Sequence, residues 1–184
     1  DLVPYIERKL FTVNTGHAAA AYWGYHMKKT TVYEALQDPK IHEEVHRALA
    51  ETKELIVGKH GISEEEQQEY MEQIIVRISN PHLEDAVERV GRAPLRKLGR
   101  KERFIGPAAE LAELGKDCSA LLDCAEMAFR FQNVPDDQES FELAKIMKEK
   151  SPKEVVEQVC GIKPDHPLFD RLANVVEKVQ ADMK

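Results

Sequence analysis

PKIHEEVHRALAETKELIVGK, running from Pro39 to Lys59, is the stretch that sets the fold class. Its apolar residues Ile41, Val45, Ala48, Leu49, Leu55 and Ile56 form one stripe at helical spacing, and Gly58 with Gly61 closes the pattern as a glycine cap. That stripe is core. Upstream, a short helix spans about Thr31 to Asp38, with Thr30 or Thr31 as its cap, and stops before Pro39. A first helix covers about Val13 to Met27. Downstream, Ser63 followed by Glu66 has the form of a capping box opening a helix that runs to about Ile78, and Glu64, Glu65 and Glu66 complement its dipole. Asn80 and Pro81 break the pattern. A short helix with Leu83 and Val87 then leads into a segment punctuated by Gly91, Pro94 and Gly99, which reads as irregular. Helices resume over Pro107 to about Phe131, Asp137 to Lys150, Ser151 to Val159 and Pro167 to Lys184. The last carries Leu168, Leu172, Val175, Val176 and Val179 as its core stripe. No stretch alternates with the two-residue period of a strand, so the expected fold class is all-α and multi-helical.

The chain has 184 residues, 42% of them hydrophobic and 32% charged, enough for one good-sized domain and too few for two full ones. The strongly apolar run from His17 to Tyr25 is far too short to span a bilayer. No charged start followed by an apolar core and a small-residue cleavage site opens the sequence, so the cytoplasm is the expected location. Cys118, Cys124 and Cys160 are odd in number and lack the C-x-x-C spacing, which argues for reduced thiols rather than a disulfide framework or zinc cluster.

Charge is unevenly spread. Arg89 to Arg103 holds seven basic residues against Glu102 alone, so a chain of net charge −7 carries +6 in that segment and −13 in the rest. One concentrated basic segment on an acidic body suits a small anionic ligand, phosphate above all, better than the long backbone of a nucleic acid.

The run from Arg8 to Tyr22 places Lys9, Asn14 and His17 among small or apolar residues. Such surroundings would desolvate Lys9 and favour its neutral amine, making it a candidate base. Asn14 and His17, three apart, share a helical face and could donate hydrogen bonds to an oxygen on which negative charge develops. On a straight helix Lys9 and His17 lie roughly 12 Å apart along the axis. The reading therefore has the helix proper begin after Lys9, with an irregular turn around Phe11 to Val13 closing the gap. Ala18 to Ala21 and Gly16 keep the face narrow, for close approach of either a substrate or a packing helix.

Lys-x4-Asn-x2-His, set in Lys9-Leu10-Phe11-Thr12-Val13-Asn14-Thr15-Gly16-His17, resembles the signature of the polyol-specific long-chain dehydrogenases. A second block is similar to another region of that family: Ile78 to Pro81, Asp85, Glu88 to Val90, Arg92, Pro94, Arg96 to Leu98 and Arg103 to Pro107. The resemblance implies NAD-dependent interconversion of D-mannitol 1-phosphate and D-fructose 6-phosphate without a catalytic metal. Lys9 would be the general acid/base, and Asn14 and His17 would hold the substrate oxygen. Arg89 and Lys97 fall where the family has substrate-contacting basic residues, and Arg92, Arg96, Arg100 and Arg103 are further candidates for the phosphate.

Family members carry a Rossmann domain ahead of the lysine motif, whereas none of the nine glycines here is one residue from another, so G-x-G-x-x-G is absent. The resemblance thus makes residues 1–184 the C-terminal helical substrate domain, with NAD bound mainly by an N-terminal partner domain and no turnover expected from this chain alone. Two other readings compete. His42-Glu43-Glu44-Val45-His46 fits the H-E-x-x-H pattern of a zinc hydrolase, and a helical module with no enzymatic role is the third class.

Overall fold

The computed structural model describes residues 1–184, and its regular elements are all helices; one isolated antiparallel bridge joins Thr31 to Ala86. The chain divides into two compact units, Asp1–Val90 and Gly91–Lys184. No helix is long and apolar enough to cross a membrane.

In the first unit, α1 (Val3–Lys9) passes through a five-residue π-helical turn (Leu10–Asn14) into α2 (Thr15–His26). Next come α3 (Val32–Gln37), α4 (Pro39–His60), α5 (Glu64–Ile78) and α6 (Val87–Val90). The first rod therefore starts at Val3, before Lys9 rather than after it. Pro4 sits in its opening turn, where a missing N–H is harmless, and Asp1 Oδ1 accepts the Val3 N–H at 3.1 Å. Side-chain caps fix the later starts: Thr31 Oγ1 accepts from Glu34 N–H at 3.1 Å, Asp38 Oδ1 from Lys40 N–H at 2.9 Å, and Ser63 Oγ from Glu66 N–H at 3.1 Å. The reciprocal half of the box read at Ser63 is absent because the Glu66 carboxylate accepts instead from Arg8 Nη1 at 3.0 Å. Gly61, at φ 66°, ends α4 in the left-handed conformation that its missing Cβ permits.

α2 is the centre of this unit, packed by α3, α4 and α6. Ala18 to Ala21 and Tyr22 are fully buried. A Cβ on Gly24 would lie 2.8 Å from the Ala35 Cβ, and one on Gly16 would lie 3.2 Å from Leu49 Cδ1. The small residues thus serve close helix packing. α1 is tied down on its inner side, where Glu7 Oε1 meets Lys59 Nζ and His60 Nε2, each at 2.9 Å. Burial alone would push the Glu7 carboxyl up, but these two partners together hold it below its ordinary value. Arg8 lies 4.3 Å from the Tyr70 ring centroid. Outward, α1 leaves Leu2, Val3, Tyr5 and Ile6 exposed.

The second unit contains α7 (Pro94–Lys97), α8 (Ile105–Glu113), α9 (Ser119–Phe129), α10 (Gln138–Glu149), α11 (Pro152–Val155), a π turn (Val156–Cys160) and α12 (Phe169–Asp182). Its core is built on Phe104, Leu111, Leu121, Phe129, Phe131, Leu168, Leu172 and Val176. The single helix expected over Pro107 to Phe131 is two. Gly115, at φ 70°, turns the chain after α8, and Asp117 Oδ1 accepts the Ser119 N–H at 2.9 Å to start α9. A complete capping box occurs at Ser151 and Glu154. All three cysteines are buried and outside any disulfide, and burial pushes the Cys160 thiol up, away from thiolate chemistry.

Candidate active site

The π turn decides which residues of the first rod share a face. Its bonding reaches back five residues, the Thr15 N–H donating to Leu10 O, and Thr15 Oγ1 donates to the same carbonyl at 3.2 Å. An α-helix aligns residues three and four apart; a turn holding one more residue aligns those five apart as well. Lys9 and Asn14 are five apart, and Asn14 and His17 are three apart. All three therefore come to one side of the rod, and the irregularity falls on the Phe11 to Val13 stretch where the spacing required one.

Burial of Lys9 is not found. Lys9 is exposed, Asn14 is half-buried, and the His17 side chain is 31% exposed. The apolar run that was to desolvate Lys9 faces inward against α4, while Glu7 and Arg8 are anchored to α4 and α5, which leaves Lys9 on the open side.

The turn is held from outside the rod. Gln67 of α5 donates from Nε2 to Thr12 Oγ1 at 3.0 Å, and both residues are fully buried. Gln67 Oε1 is itself buried with no hydrogen-bond partner, so the bond to Thr12 satisfies this amide at its Nε2 end only. Thr12→Val should cost about 1–3 kcal/mol, the penalty of orphaning a buried donor, and Gln67→Leu on top of it should recover part of the loss. Urea midpoints of the single and double variants measure both effects; an unchanged midpoint in Thr12→Val would show that the bond does not hold the turn.

His17 has a partner that spacing does not reveal. Its Nε2 stands 3.2 Å from Asp85 Oδ2, across 68 residues of sequence. A carboxylate at that nitrogen makes it the donor and so fixes the ring's orientation and tautomer. Asp85 is presented by the bridge: Val32 N–H donates to Asp85 O at 2.9 Å, and Val87 N–H donates to Thr30 O at 3.0 Å. α6 follows directly and packs on α2, with Arg89 exposed on it.

Lys97 lies in the second unit and is 5% exposed. Burial, aided by the Arg103, Arg96 and Arg92 charges and opposed by Asp137, lowers its ammonium from 10.5 to about 8. The rest of the basic segment is partly neutralised: Arg103 and Arg96 face Glu102 at 3.2 and 3.7 Å, and Arg100 faces Glu113 at 3.2 Å. The segment is therefore a structured cluster around one buried amine, where the sequence shows only a run of charge.

The zinc reading fails on its ligands. His42 and His46 do sit side by side, ring centroids 4.6 Å apart, but no group of three His, Cys, Asp or Glu side chains is arranged to hold a metal. Glu43, the would-be base, is exposed.

A family model described as the mannitol dehydrogenase C-terminal domain matches residues 1–180. Mannitol-1-phosphate 5-dehydrogenase of Sclerotinia sclerotiorum is 73% identical over 182 residues, covering 99% of this chain and 47% of that protein. The Podospora anserina enzyme of the same name is 70% identical, over 46% of its length. The chain thus spans about half the length of the curated relatives it matches. Among solved structures, Pseudomonas fluorescens mannitol 2-dehydrogenase, in ternary complex with NAD and D-mannitol, superposes with a TM-score of 0.73 at 17% identity, over 100% of this chain and 39% of that one. That likeness shows the fold. The shared fold and the match along almost the whole chain make this a member of the mannitol dehydrogenase C-terminal domain family.

Proposed function

We propose that this chain is the substrate half of an NAD-dependent mannitol-1-phosphate 5-dehydrogenase that interconverts D-mannitol 1-phosphate and D-fructose 6-phosphate. The observation that carries the reading is 73% identity, along nearly the whole chain, to an enzyme of that name. The π turn supports it, because its extra residue gives a helical period on which Lys9, Asn14 and His17 share one face. In oxidation Lys9 Nζ takes the proton of the reacting hydroxyl, and in reduction it returns it. Asn14 donates from its carboxamide to the substrate oxygen as negative charge grows there, and His17, its Nε2–H held by Asp85, donates to that oxygen from Nδ1 as the imidazolium. Arg89 and Lys97 are each proposed as contacts to the phosphorylated polyol.

NAD, bound by the rest of the full-length protein, supplies the hydride acceptor. These residues do not form its cradle, because they contain no sheet and no glycine-rich turn leading from strand to helix. Buried cysteines outside any disulfide fit a cytoplasmic setting. The test is NADH formation by the full-length protein given D-mannitol 1-phosphate, with D-mannitol as the comparison. Turnover of the phosphate ester by the full-length protein, and none by residues 1–184 alone, is expected. Turnover of free mannitol with none of the phosphate ester would remove the proposal.

A further inference from the structure

We propose that Asp137 is a positioning residue for Lys97, gripping through its carboxylate the left-handed turn at Ala93 from which α7 and Lys97 spring. The inference rests on the reading of Lys97 as a contact to the phosphorylated substrate, and it assigns the carboxylate that keeps the amine in place and charged.

Ala93 adopts φ 62°, ψ 54°, a conformation an L-residue with a Cβ adopts at a cost of order 1–2 kcal/mol, so the surrounding structure must over-determine it. Asp137 supplies that restraint. Its Oδ2 accepts the Ala93 N–H at 3.1 Å while its Oδ1 accepts the Ser140 N–H at 3.3 Å, so one side chain caps α10 and holds the turn. Glu139 of the same helix accepts the Arg96 N–H at 3.0 Å, a second grip on α7. α10 packs directly on α7, and Asp137 is buried.

Electrostatics gives the same residue a second task. The charges acting on Lys97 are the guanidiniums of Arg92, Arg96 and Arg103 and the carboxylate of Asp137, with Glu139 spent on a backbone N–H beside them. The Lys97 ammonium already stands at about 8, held there against burial and like charge with help from Asp137. Neutralising Asp137 shifts the balance further toward the free amine. The sign follows directly: in such a variant Lys97 stays charged in mild acid but loses its proton at lower pH than in the parent, and a neutral amine attracts phosphate weakly.

Asp137→Asn is the informative variant, because it removes the charge but keeps one oxygen for the Ala93 N–H, while the Ser140 N–H retains the Asp137 main-chain carbonyl at 3.1 Å. In the full-length enzyme its KM for D-mannitol 1-phosphate should match the parent's near pH 6 and exceed it about twofold at pH 8, with kcat little changed. Asp137→Ala should raise KM at both pH values, since the turn is released as well. Ala93→Gly in that background should restore part of the loss at pH 6, because glycine adopts the left-handed turn unaided. A parallel rise of KM at all pH values in Asp137→Asn, or none, overturns the positioning role. Lys97→Met serves as the control: a KM equal to the parent's would show that Lys97 does not meet substrate, and both readings would fall together. A raised KM in Lys97→Met with a silent Asp137→Asn would sink the Asp137 assignment alone.

Discussion

Lys9→Ala in the full-length protein lowers kcat about 10²–10⁴-fold, the contribution that a positioned proton-transfer group makes. Stability should stay within about 0.5 kcal/mol of the parent, because the side chain is exposed and its neighbours Glu7 and Arg8 carry the anchoring contacts of α1. This separation makes the experiment clean: the fold and the proposed chemistry rest on adjacent residues that point different ways. Lys9→Arg should not rescue turnover, since a guanidinium does not give up its proton in the working pH range. Steady-state rates alongside a urea titration check both parts, and activity within about threefold of the parent in Lys9→Ala would remove Lys9 from the mechanism.

Asn14→Ala is the second large loss, about 10²–10³ in kcat with KM little moved, as for removal of one donor to a developing oxyanion. Asn14→Asp should be at least as damaging, because it sets a carboxylate where negative charge must grow. Asn14 is half-buried at the last position of the π turn, so its placement depends on the contacts of Thr12 within the turn and of Thr15 just after it. A raised KM with unchanged kcat would instead make Asn14 a ground-state contact.

How far the molecule could be read from its sequence depends on the range of the interactions involved. Periodicity within α4 and α5 and the caps at Thr31, Asp38 and Ser63 are local, and the helices stand where those signals put them. The early start of α1 also carries a local mark, Pro4, and the break between α8 and α9 another, Gly115. The π turn is different. Its position was required by the spacing of Lys9, Asn14 and His17, yet what maintains it includes Gln67, 55 residues away, which nothing in the motif announces. Asp85 beside His17 and the burial of Lys97 are likewise tertiary. A run of seven basic residues resembles solvated surface until the Ala93 turn and Asp137 fold one lysine inward. The exposure of Lys9 went against expectation for the same reason: composition identifies apolar neighbours but not the side to which they turn.

The wide turn at Leu10–Asn14 also constrains how the gene can vary. Loss of a single codon there would let the rod rewind to ordinary α-helical pitch, and everything on its amino side would swing by about 100°. Lineages that keep this domain should therefore tolerate many exchanges of side chain in this stretch but almost no change in its length.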